Sequence, residues 1–226
     1  MVELVAPNCH ACEIRIADLD MHGSPEAAAQ ALGIAFPPQL ARAVPRRRME
    51  FLAGRWCARR ALQAAGFAGT AELPINARRG PVWPAGFVGS IAHGADTAWA
   101  VASSQSHHRA LGIDLERLVT PAAAAELSAS VLLPAELERA RAARLGFELF
   151  LGLAFSAKET LYKCLNPLTG AAFDFLEVEI VELSPGSGVL RVELRTHLSA
   201  SIRAGEQFEV RFRIGSEIRT STNLAA

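Results

Sequence analysis

The order of helical and strand-like segments repeats in the two halves of the chain. In the first half, an alternating segment at residues 12–19 is followed by a helix at residues 45–65 and then by a hairpin. In the second half, helices at residues 121–130 and 134–165 are followed by strands between residues 176 and 222. Segments in this order predict an α+β fold, with two similar lobes and a cleft between them.

Composition narrows the class of protein without identifying a partner. The chain has 226 residues, enough for two small lobes, and its basic and acidic residues are equal at 23 each. Overall charge therefore indicates neither a nucleic-acid nor a membrane partner. The first residues lack the basic and apolar regions of a secretory signal, and no uncharged segment is suited to spanning a membrane. We therefore expect a cytoplasmic protein.

Two of the four cysteines, Cys9 and Cys12, have the spacing of half a zinc site. No second pair of Cys or His residues follows at a suitable distance, so thiols without a metal are the favoured interpretation. Structural disulfides are not expected in a cytoplasmic chain of this size.

Two carboxylates, Asp114 and Glu116, lie in the apolar segment 112–116. Side chains two residues apart on a strand point to the same face, so the two can converge on one point. The alternative is an ordinary solvated strand face, as the similar pair Glu177 and Glu179 illustrates. Gly112 distinguishes the first pair, because it leaves room for an approaching ligand.

A third carboxylate, Glu159, is flanked by Lys158 and Lys163 on a predicted helix. Glu159 and Lys163 are four residues apart, which is also the spacing of an ordinary surface ion pair. If Glu159 reaches the acidic pair, the three carboxylates form an all-oxygen site of the kind that Mg²⁺ prefers. The lysines would then stand near the phosphate oxygens that this ion commonly holds.

Basic residues of the first half form a possible anion site. Arg48, Arg55 and Arg59 share one stripe of the helix at residues 45–65, and Arg79 lies in a basic turn. A solvated basic face is the alternative to a phosphate site built from guanidinium groups. His93, at the end of a predicted strand, is either a structural residue or a donor to a phosphate.

Together these segments resemble the 4′-phosphopantetheinyl transferases, in their larger surfactin-type class, and in particular the branch that serves siderophore assembly lines. Each motif is weak alone, but four of them occur in the order and at the distances typical of the family. They are residues 50–55 with Arg59, residues 80–84 running into 86–93, residues 112–116, and residues 155–159 with Lys163.

The resemblance implies a fold and a location for the site. Members of the family are monomeric pseudo-dimers of two α+β lobes, and coenzyme A lies in the cleft between the lobes. Here residues 1–107 would form the N-terminal lobe, with the coenzyme A-binding residues. Residues 108–226 would form the C-terminal lobe, with the metal ligands and the catalytic helix.

The resemblance also implies roles for individual residues. The expected ligands of Mg²⁺, held against the pyrophosphate of coenzyme A, are Asp114, Glu116 and Glu159. The expected coenzyme A contacts are Arg55, Arg59 and His93, with Arg79 a looser candidate and with Lys158 and Lys163 at the pyrophosphate. The family often has a serine where this chain has Ala92, so one phosphate hydrogen bond would be lost.

The expected reaction is attack by a carrier-protein serine on the β-phosphate of coenzyme A, with release of 3′,5′-ADP. Glu159 is the expected general base, and Lys163 would offset charge on the leaving phosphate. The expected partners are apo acyl, peptidyl or aryl carrier domains of siderophore, nonribosomal peptide or polyketide biosynthesis, without nucleic acid or membrane. Two alternatives are a Mg²⁺-dependent phosphohydrolase and a non-catalytic protein that docks on carrier domains.

Overall fold

The computed structural model describes residues 3–226, with the backbone alone at residues 20–22. Contacts divide the chain into two compact units. The N-terminal unit consists of residues 7–111 and 225–226, and the C-terminal unit consists of residues 3–6 and 112–224. The predicted seam at residues 107 and 108 lies at the start of strand β4 (His108–Arg117), whereas the structural division lies within that strand.

The N-terminal unit is a three-stranded antiparallel sheet with a long helix packed on it. Strand β3 is central, between β1 and β2. The strands are β1 (His10–Arg15), β2 (Phe87–His93) and β3 (Thr97–Ser104), and the helices are α1 (Pro25–Leu32) and α2 (Pro45–Ala64).

The sequence signals for these elements are confirmed in most places. The predicted helix at residues 45–65 and the predicted hairpin both occur, and Ser24 caps α1 by accepting a hydrogen bond from the N–H of Ala27 at 3.1 Å. The predicted first strand is shorter than residues 12–19, since a 3₁₀ helix, Ile16–His22, follows β1. Arg15 pairs with Thr97, the first residue of β3, so no strand remains beyond it to pair with.

The C-terminal unit contains a five-stranded sheet with strand order β4-β8-β7-β6-β5. Its other strands are β5 (Val178–Ser184), β6 (Val189–Leu194), β7 (Gln207–Ile214) and β8 (Glu217–Ala225). Its helices are α3 (Pro121–Val131), α4 (Pro134–Ala142) and α5 (Phe147–Thr169). The α+β class is confirmed, although the sheets of the two units differ in size.

Helix α5 is the buried helix of the C-terminal unit. The long helix predicted at residues 134–165 is two helices, and the break lies at Gly146, which immediately precedes α5. Gly152 lies inside α5, where the absence of a side chain makes room for Ile218, whose methyl group would lie 2.9 Å from a Cβ there. None of the described helices is long and apolar enough to cross a membrane.

Candidate active site

Strand β4 and helix α5 touch through their main chains. A Cβ atom built on Gly112 would lie 2.1 Å from the carbonyl oxygen of Thr160, so only glycine fits at this contact. Asp114 and Glu116 lie on the same face of β4 as Gly112, because side chains alternate along a strand. The acidic pair therefore lies on the α5 side of the strand, as a site shared with Glu159 requires.

Asp114 lies at the centre of this acidic group. Its side chain is nearly buried, with 5% of the residue exposed. Oδ1 accepts a hydrogen bond from Nζ of Lys163 at 2.6 Å, whereas Oδ2 is buried without a partner. A buried carboxylate oxygen without a donor is costly, and a cation beside it would remove the cost.

Glu116 and Glu159 stand within electrostatic range of Asp114. Burial raises the pKa of Glu116, and the Asp114 charge adds to that rise. The N–H of Arg117 donates to Glu116 Oε1 at 2.8 Å and lowers the pKa. Burial likewise raises the pKa of Glu159; the Lys163 charge lowers it and the Asp114 charge raises it. All three carboxylates thus share the electrostatic influence of Lys163.

The donor atoms fit a hard divalent cation, since all are carboxylate oxygens and one lacks a partner. Among the side chains that the structure describes, however, no three from His, Cys, Asp or Glu are already gathered closely enough to hold a metal ion. Lys163 supplies the positive charge at Asp114 in this arrangement. Glu159 also borders a cavity of about 280 Å³ whose walls include Tyr162, Phe173 and Phe175.

Lys158 does not extend toward Asp114. Its side chain is 1% exposed, and Nζ donates to the carbonyl oxygen of Val131 at 2.7 Å and to Oε2 of Glu136 at 2.9 Å. Burial lowers the pKa of Lys158, and the Glu136 charge opposes that effect. The ammonium group is therefore used inside the C-terminal unit, which does not support the expected contact with a pyrophosphate.

Glu136 is the residue that sequence reasoning missed. It is fully buried, and besides Lys158 it accepts hydrogen bonds at 2.7 Å from the N–H groups of Leu133 and Ile180. Its position at the third residue of α4 could have indicated a helix cap. Nothing in the spacing indicates a partner 22 residues away.

Arg55 faces a cavity of about 570 Å³ in the N-terminal unit. Only 8% of the residue is exposed; its guanidinium carbon lies 4.8 Å from the ring centroid of Phe51, and Nε is buried without a partner. Burial lowers the pKa of Arg55 to about 10, so it remains a cation near neutral pH. Apolar side chains form much of the wall: Ile34, Phe36, Phe51, Leu73 and Ile75.

Arg59 borders the same cavity, but its guanidinium group is hydrogen-bonded to main-chain oxygens. It donates to the carbonyl groups of Leu32 at 2.9 Å, Gly33 at 2.8 Å and Ala71 at 2.9 Å. These bonds join the end of α1 to the segment beyond α2, and both segments contribute residues to the cavity wall. Arg59 thus shapes the cavity, while the third arginine of the stripe, Arg48, is paired with Glu26.

His93 and Arg79 lie outside the residues that line this cavity. His93 packs on α2, where a Cβ on Gly54 would lie 2.4 Å from its Nε2 atom. That glycine immediately precedes Arg55 on α2. Arg79 lies in an exposed turn with φ of 64°, and its N–H donates to the carbonyl oxygen of Asn76.

Comparison with known proteins gives consistent matches along the chain. The 4′-phosphopantetheinyl transferase N-terminal domain family matches residues 36–103, and the 4′-phosphopantetheinyl transferase superfamily matches residues 110–215. Enterobactin synthase component D of Escherichia coli (strain K12) is 36% identical over 180 residues, which cover 80% of this chain and 78% of that protein. The 4′-phosphopantetheinyl transferase Svp of Streptomyces mobaraensis is 36% identical over 179 residues, which cover 76% and 71%.

Proposed function

The chain belongs to the 4′-phosphopantetheinyl transferases, enzymes that act on carrier proteins, and on that premise we propose its reaction in detail. The enzyme transfers the 4′-phosphopantetheine arm of coenzyme A to a serine of an apo carrier domain. The serine oxygen bonds to the β-phosphorus, the bond from that phosphorus to the bridging oxygen breaks, and 3′,5′-ADP leaves. The pathway is siderophore or related nonribosomal peptide or polyketide biosynthesis.

The buried, unpartnered Oδ2 of Asp114 is the observation that carries this proposal. It lies in a group of three carboxylates compensated by Lys163, and that group has the composition of a Mg²⁺ site. The ligands would be Asp114, Glu116 and Glu159. When bound, Mg²⁺ would neutralise negative charge on the pyrophosphate.

Proton transfer and the binding of coenzyme A are assigned to side chains of the protein. Glu159 takes the proton of the carrier serine as the general base. Lys163 moves from Asp114 to the phosphate that leaves. In the N-terminal unit, Arg55 and His93 bind the phosphates or the adenine end of coenzyme A. Arg79, on its exposed turn, supplies a further cation.

Arg59 and Lys158 receive other roles in this proposal. Arg59 shapes the cavity beside Arg55 through its three carbonyl contacts. Lys158 fixes helix α5 through Glu136.

The test is to incubate the protein with coenzyme A, Mg²⁺ and a panel of apo acyl, peptidyl and aryl carrier domains. We expect the carrier to gain the mass of one phosphopantetheine group, with one 3′,5′-ADP released for each group transferred. A carrier domain with Ala in place of the acceptor serine is the control. Release of phosphate or nucleotide from coenzyme A, with every carrier left unmodified, would establish a hydrolase and overturn the proposal.

Replacement of Lys163 by Met is expected to change metal binding and transfer in opposite directions. Without the Lys163 charge, Mg²⁺ or Mn²⁺ should bind at least about tenfold more tightly in the absence of coenzyme A, because a competing cation is gone. Transfer should fall about 10²-fold, because the leaving phosphate loses a cation. Calorimetric titration with Mn²⁺ and the carrier assay measure the two effects.

The matched control is Arg141→Met, which removes one positive charge from an exposed ion pair with Glu138. It should leave both metal affinity and transfer unchanged. Equal metal affinity in Lys163→Met and the unaltered protein would show that Lys163 does not compete at Asp114.

A further inference from the structure

Two thiols of the N-terminal unit lie against each other on different elements. Cys12 is on β1 and Cys57 is on α2; Cys57 belongs to the buried core cluster of this unit, Cys12 packs against that cluster, and the Cys57 thiol donates to Cys12. The carbonyl oxygen of Ala98, 3.5 Å from Cys57 Sγ, is the alternative acceptor of the same thiol proton. Cys12 thus adjoins Cys57, and the described residues contain no group of three or more His, Cys, Asp or Glu side chains that could hold a metal ion.

The two thiols differ in exposure and in electrostatic surroundings. Cys57 is fully buried in the core between α2 and the sheet, whereas Cys12 is partly exposed. The bond from Cys57 lowers the pKa of Cys12 to about 7, and the Arg60 charge and the main-chain N–H of Glu13 act in the same direction, while burial and the Glu13 charge oppose it. The pKa of Cys57 is raised. Cys12 is therefore the thiol that ionises and reacts.

We propose that Cys12 and Cys57 form a reversible disulfide when the protein meets a hydroperoxide. The Cys12 thiolate attacks the peroxide, the O–O bond breaks, and Cys12 becomes a sulfenic acid while water or an alcohol leaves. The Cys57 thiol then attacks the Cys12 sulfur, the S–O bond breaks, and water leaves. The two thiols lose two electrons in total, and the peroxide gains them.

This pairing goes beyond phosphopantetheine transfer and does not depend on it. The new bond would link β1 to α2 and close a loop of the chain between residues 12 and 57. Such a link restricts the unfolded chain, so the oxidised protein should unfold at a higher temperature than the reduced protein. Dithiothreitol should restore both thiols and the lower unfolding temperature.

The experiment treats the full chain with a small excess of hydrogen peroxide, alkylates the remaining thiols after denaturation, and maps peptides by mass spectrometry. We expect one linkage, Cys12 to Cys57, that dithiothreitol reverses. Cys164 is the internal control; it is fully buried and burial raises its pKa to about 12, so it should stay reduced in the folded protein.

Variants separate the two steps of the reaction. Cys57→Ser should stop at a sulfenic acid on Cys12 that dimedone labels, and Cys12→Ser should leave Cys57 unreactive. If Cys57→Ser does not fold, Cys12→Ser and the unaltered protein still decide the question. Linkage of Cys12 to Cys9, further oxidation of Cys12 with Cys57 still reduced, or four alkylated thiols after peroxide would each overturn the proposal.

Discussion

Replacement of Asp114 by Asn is expected to lower phosphopantetheine transfer by about 10³-fold or more while the protein remains folded. Asparagine has nearly the same size, so the packing of β4 on α5 through Gly112 should persist. The loss follows from charge, because the variant removes the buried carboxylate to which Lys163 is bound and which we assign to the metal. A neutral amide is a much weaker ligand for a hard dication.

Three measurements check this prediction together. The carrier assay gives the transfer rate, calorimetric titration with Mn²⁺ gives metal affinity, and urea unfolding should show a change of less than about 1 kcal/mol. Asp96→Asn is the matched control, since Asp96 is exposed in the turn between β2 and β3 and should leave transfer unchanged. Near-normal transfer by the folded Asp114→Asn protein would remove Asp114, and with it the proposed metal site, from the mechanism.

Replacement of Glu136 by Ala is expected to reduce the free energy of unfolding by about 3–5 kcal/mol. The variant leaves the buried ammonium of Lys158 without its counter-charge. It also removes the acceptor for the N–H groups of Leu133 and Ile180, which lie at the start of α4 and in β5. A buried charge without a partner costs far more than an exposed pair contributes.

Urea unfolding followed by circular dichroism measures this loss. The control is Glu138→Ala, two residues along the same helix, which breaks an exposed pair with Arg141 and should cost less than about 1 kcal/mol. The double variant Glu136→Leu with Lys158→Met removes both charges and should be more stable than Glu136→Ala alone. A loss below about 1 kcal/mol in Glu136→Ala would mean that the pair does not hold α4, α5 and β5 together.

The strand placement of the acidic residues was predictable because strand geometry is local. Alternation along β4 places Asp114 and Glu116 on one face whatever the rest of the chain does. The same holds for Arg55 and Arg59, whose spacing of four residues brings both to one cavity wall. The role of the acidic residues as metal ligands and the role of the arginines as coenzyme A contacts remain predictions.

What could not be predicted depends on contacts between distant segments. Lys158 and Glu159 are neighbours in sequence, but they point about 100° apart around a helix, and only packing decides which one is buried. The carbonyl partners of Arg59 come from two other segments, and Glu136 meets Lys158 from a different helix. The disposition of polar groups on a buried helix is a property of the folded unit rather than of the helix.

The contact between Gly112 and Thr160 limits which substitutions this protein can accept during evolution. Main-chain atoms set the distance between β4 and α5, so the apolar residues around them can be exchanged for others of similar volume without altering that distance. A single added methyl group at residue 112 would force the two elements apart. Residue 112 must therefore remain glycine if the three carboxylates are to keep their positions. The apolar residues around the contact can change during evolution.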